Sequence, residues 1–118
     1  MTITAPETVA ASQAAETEIV ANVFVASERA TVEMRLGEDG AWTSMTRWRG
    51  FDPFAVAFFE REKARDPEEA SWGKPKKHNH LYRGFLPANP PAGMTVIYVR
   101  AVDAFGATHT GRRLIRIE

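Results

Sequence analysis

From Glu18 onward, apolar and β-branched residues recur in short runs separated by turn signals, a pattern that predicts strands. Glu18 to Ala26 alternates loosely and is expected as the first of them. In Thr31 to Leu36 the alternation is strict. Val32, Met34 and Leu36 fall on one face, and Thr31, Glu33 and Arg35 on the other. Glu38-Asp39-Gly40 then reads as a turn, with Gly40 free to take positive φ, and Trp42 to Trp48 as the partner strand of a β-hairpin. His80 to Leu86 predicts a strand ended by Pro87, and Pro90 to Gly93 a turn. Met94 to Asp103 carries apolar side chains on both faces, Ile97, Val99 and Ala101 against Val96, Tyr98 and Val102, as a central, covered strand does. Asp103-Ala104-Phe105-Gly106 suits a type I turn leading to a closing strand over Ala107 to Ile117.

One helix interrupts this series. Asp52 is a suitable N-cap, and Pro53 fits the first helical position, where its missing N–H costs nothing. Phe51 and Val56 are placed to form a hydrophobic staple, and Phe54 and Phe58 share one face. Asp66-Pro67 ends the helix because the residue before proline avoids the α region, and Pro67 to Asn79 reads as a loop. Six or seven short strands without βαβ alternation predict a mainly β fold: an immunoglobulin- or fibronectin-like antiparallel β-sandwich with one inserted helix. Residues 1–18 are Ala, Thr, Ser, Glu and Pro with few large apolar groups, and are expected to be a flexible linker or tail before a domain over 19–118.

Composition narrows the function. The chain of 118 residues suits a single core, and 15 basic residues balance 15 acidic ones. That balance shows no basic excess of the sort nucleic-acid binding uses, so no nucleic-acid partner is expected. There is no cysteine, which removes disulfides and thiolate catalysis. No apolar run approaches the roughly 20 residues that span a bilayer. Met1 to Glu18 has neither the charge nor the apolar stretch of a signal peptide.

Several pieces, taken in order, resemble a known family. They are Trp42-Thr43-Ser44-Met45, Asp52-Pro53-Phe54, His80-Leu81-Tyr82, Leu86-Pro87-Ala88, Ala92-Gly93, and Val99 to Gly106 with its V-x-A-x-D-x-x-G form. Their order and spacing are similar to the small β domain that ends bacterial calcineurin-like metallophosphoesterases, over roughly Val20 to Glu118. Tyr82 stands where that pattern has Trp. The metal-ligand motifs of the family's catalytic domain, D-x-H and G-N-H-(D/E) among them, are missing. The resemblance therefore implies an accessory domain rather than an enzyme. It would need no cofactor, its partner would be a metallophosphoesterase catalytic domain in cis or trans, and its parent could be exported.

Candidate binding residues remain. His78 and His80 lie two apart, so in a strand two imidazoles could share a divalent cation, with His109 as a third ligand. A solvated loop end beside lysines is the commoner arrangement. Lys74, Lys76 and Lys77 form a basic stretch able to meet an anion. Trp42 and Trp48 share a parity, and an exposed row of them with Trp72, and with Tyr82 nearby, could stack on sugar rings. The alternative function is thus a carbohydrate or cell-surface polymer binding module. Asp103 reads as a turn residue bonding its own backbone, not as a catalytic acid.

Overall fold

The computed structural model describes residues 1–24, 29–66 and 77–118, with the backbone alone at 77–79. The elements are β1 (Thr2–Thr4), β2 (Thr8–Val9), a 3-10 turn (Ala11–Glu16), β3 (Glu18–Asn22), β4 (Thr31–Leu36), β5 (Thr43–Ser44) and β6 (Thr46–Phe51). They continue as α1 (Pro53–Arg65), β7 (Lys77–Phe85), β8 (Gly93–Val102) and β9 (Thr108–Ile117). The strands form two sheets, ordered β1-β3-β7-β6 and β2-β9-β8-β4-β5. Every pairing is antiparallel except that of β2 with β9, where Val9 runs parallel to Ile117. This is the mainly β sandwich that the alternating pattern predicts.

Alternation explains the core. Ile97, Val99 and Ala101 of β8, Val32 and Met34 of β4, and Ile115 and Ile117 of β9 face inward from the larger sheet. Ile19 and Ala21 of β3 and Tyr82 of β7 meet them from the smaller one. The other face of β8 is only half covered at Val96, Tyr98 and Val102, because the larger sheet turns that face outward.

Four expectations are corrected. Residues 1–18 are not a tail: β1 pairs with β3, β2 with β9, and Ile3, Val9 and Ala14 are buried in the core. Trp42 to Trp48 is not one strand. β5 pairs with β4 for two residues, Met45 crosses between the sheets, and β6 pairs with β7 on the other side. Met45 is buried at that crossing, and its N–H bonds the Val32 carbonyl at 2.8 Å. The reason is physical: an edge strand that switches sheets closes a sandwich corner, which a continued hairpin cannot. In the turn before it, the positive φ belongs to Gly37 (+73°), whereas a side chain at Gly40 would collide with the Leu36 carbonyl. Last, β7 begins at Lys77, inside the stretch read as a loop.

Candidate functional site

The helix is held at its first turn. Asp52 is 5% exposed; its Oδ1 accepts the Phe54 N–H at 2.9 Å, and its Oδ2 accepts the Asn22 amide at 2.8 Å. Asn22 lies on the outward face of β3, since Ile19 and Ala21 are the core-facing positions. Thus Asp52 caps α1 and ties its start to the outside of the four-stranded sheet. Beyond that anchor α1 buries no residue. Ala55, Phe59 and Glu62, spaced as one helix face, are half covered, while Phe54 and Phe58 on a neighbouring face are 55% and 51% exposed. Phe51 and Val56, expected to close on each other, are both exposed. Arg61 lies over the Phe58 ring at 5.9 Å and extends the face.

Trp42 and Trp48 do not form a row. Because Met45 switches sheets, Trp42 sits over the outward face of the five-stranded sheet and Trp48 over the outward face of the four-stranded one. The Arg100 and Arg35 guanidinium groups stack on Trp42 at 4.0 and 4.7 Å from its ring centroid. Trp48 lies over Gly50, where an added Cβ would be 2.6 Å from the indole, and Arg83 approaches it at 5.9 Å. Both rings are half-buried, so the aligned platform a glycan would stack on is not assembled from this pair. Trp72, Lys74 and Lys76 lie outside the described residues, as do the side chains of Lys77 and His78.

Tyr82 is not at the surface. Its register opposite Ala21 points it into the core, where it is 2% exposed. Burial raises its phenol above the ordinary value of 10.0, against a smaller opposing effect of Arg47. His109 is bound to a turn rather than a ligand set: its Nε2 is 3.5 Å from Asp103 Oδ2. Asp103 Oδ1 accepts the Phe105 and Ala107 N–H groups at 2.9 and 3.0 Å. The Phe105 N–H above all, then the Ala107 N–H and His109, hold the Asp103 carboxyl below 3.8 despite its partial burial. Among the described residues no three His, Cys, Asp or Glu side chains gather where they could hold a metal. No helix among them is long and apolar enough to cross a membrane.

An open cleft of about 670 Å³ lies between the sheets at the β5 corner, lined by Met34, Leu36, Phe85, Leu86 and Pro87 with Arg35 and Arg83 among its polar residues. Sequence reading found neither this cleft nor the Asn22–Asp52 pair. Both require knowing that β5 and β6 separate and that β3 and the α1 cap meet across 30 positions.

These features define the class: a β-sandwich bearing one loosely seated helix with exposed aromatics in its first turns and lacking, among its described residues, a ligand cluster for metal chemistry. The family model for the C-terminal domain of calcineurin-like phosphoesterases, MetallophosC, matches residues 1–109, and the chain belongs to this family. The domain is thus one associated with a phosphoesterase catalytic domain. No curated protein and no solved structure gives a significant match.

Proposed function

We propose that the chain is a non-catalytic accessory domain that packs on a metallophosphoesterase catalytic domain, in cis or trans, and shapes or shields that active site. The observation carrying this reading is α1. A helix with no buried residue that keeps Phe54 and Phe58 about half exposed has an apolar face awaiting cover, and such contiguous patches mark protein contacts. Phe51 adds to it at 46% exposure. The Asn22–Asp52 anchor fixes the angle at which this face is presented, which lowers the entropy lost on docking.

The test pairs this chain with the catalytic domain of its parent or neighbour and measures their association. The double substitution Phe54→Glu and Phe58→Glu is expected to leave stability within about 0.5 kcal/mol, because neither ring is buried. It should weaken association more than about tenfold, as loss of aromatic anchors does. Association at full strength in the double variant would remove α1 as the contact and the reading with it.

A further inference from the structure

We infer that the outward face of the five-stranded sheet is a binding surface for phosphate groups of a phosphoester ligand, separate from any catalytic centre. The inference rests on family membership and on this face, not on α1 docking.

Register defines the surface. Tyr98 pairs with Arg35 on one side and Arg112 on the other, and Arg100 pairs with Glu33 and Thr110. Arg116 pairs with Met94 four residues further along β9, beyond the exposed Leu114. The outward positions of β4, β5, β8 and β9 therefore carry Arg35, Arg100, Arg112 and Arg116 against the single acid Glu33, a net of +3. The whole chain is formally neutral, so this is a marked local excess.

The arginines divide into two kinds. Arg35 and Arg100 are held in place: both stack on Trp42, Arg35 also lies 5.1 Å from the Tyr98 ring, and Arg100 donates to Glu33 Oε1 through Nε and Nη2. Ring stacking engages the flat face of a guanidinium and leaves in-plane N–H groups available for an acceptor. Arg112 and Arg116 are exposed and meet no ion-pair partner among the described residues. Pre-ordered forks on β4 and β8 and a free one on β9, one strand spacing of about 4.8 Å from β8 and two from β4, match a ligand with more than one phosphate oxygen to satisfy, with Arg116 about 13 Å further along β9. A phosphoesterase substrate supplies that chemistry. The face would hold such a ligand on the far side of the sandwich from α1, raising its concentration near the enzyme.

The experiment titrates the 118-residue chain with tripolyphosphate, and in parallel with polyglutamate of equal charge, at physiological ionic strength. Backbone amide shifts and the Trp42 indole shift are followed by NMR. Saturable shifts centred on Tyr98, Arg100 and Arg112 are expected with tripolyphosphate, with weaker binding to polyglutamate. Arg112→Ala should weaken binding by roughly tenfold, the loss of one charge-assisted contact. Arg112→Glu with Arg116→Glu should abolish it while the melting temperature is unchanged. Phe54→Glu with Phe58→Glu should leave it untouched, so this reading and the docking reading fail separately. Three results overturn the inference: no saturable shift, equal affinity for polyglutamate (an acidic protein surface as ligand), or undiminished binding after charge reversal.

Discussion

Replacing Ile3 with Ala tests whether the first residues belong to the sandwich. Ile3 is 6% exposed, faces the core from β1, and pairs with Ala21 of β3. Its Cδ1 lies against Gly111 of β9, at 3.4 Å from where a Cβ would stand there, and its carbonyl accepts the Arg113 Nη1 at 3.3 Å. The side chain therefore bridges the edges of both sheets. Buried Ile→Ala changes cost about 2–5 kcal/mol, and the peripheral position of β1 places this one in the lower half, about 2–3 kcal/mol. With a urea slope of about 1.5 kcal/mol/M, the unfolding midpoint falls by roughly 1.3–2 M at unchanged slope. Ser12→Ala, at an exposed position, is the control and should stay within about 0.5 kcal/mol. A midpoint for Ile3→Ala indistinguishable from the control would return the segment to the status of a tail.

Three further outcomes follow from named contacts. Asp52→Ala removes the α1 cap and strands the buried Asn22 amide, so denaturation should show a loss of about 2–4 kcal/mol; a loss below about 1 kcal/mol would mean the pair is not formed. Gly50→Ala forces its methyl against the Trp48 indole and should cost about 1–3 kcal/mol with a shift in tryptophan emission, whereas an unchanged spectrum would place Trp48 elsewhere. Asp103 ionises below its unfolded value of 3.8, so its stabilising effect is present above that pH and is lost as pH falls through the folded value. Asp103→Asn should therefore flatten the acid limb of the melting-temperature profile below about pH 4, and a limb of unchanged steepness would contradict the turn geometry.

The legible parts of the fold were those with local causes. Strict alternation located β4 and its apolar face, the doubly apolar run and the turn after it located β8 and β9, and the Asp52-Pro53 cap located the start of α1. What stayed hidden depends on distant partners. The N-terminal strands are short and poor in large apolar groups, and β2 is recruited only by Arg116 and Ile117, more than 100 positions away. Periodicity cannot report a strand of two residues. The switch at Met45 was hidden for a related reason. Trp42 to Trp48 has one continuous parity, and only the competing pairings, β5 with β4 and β6 with β7, break it. That one crossing puts Trp42 and Trp48 on opposite faces of the sandwich. Tyr82 was misplaced because β7 is apolar on both faces, Leu81 outward and Tyr82 inward, and both are buried, which composition alone did not reveal.

The zero net charge was the least informative number in the sequence, because charge acts through its distribution. The four outward arginines were visible as letters, but each needed a register to reveal its neighbour: Arg35 and Arg112 flank Tyr98 only once β4, β8 and β9 are aligned. The same alignment puts them on the opposite side of the sandwich from Asn22, where α1 begins. Two faces separated by a packed core of two sheets, about 10 Å apart, can be engaged together without steric conflict. Engagement of α1 by a catalytic domain therefore leaves the arginine face open. If both contacts operate, the domain acts as a spacer between an enzyme and its phosphorylated ligand, and charge reversal at Arg112 and Arg116 should raise the apparent KM of the assembled enzyme for a polyphosphorylated substrate while leaving kcat unchanged.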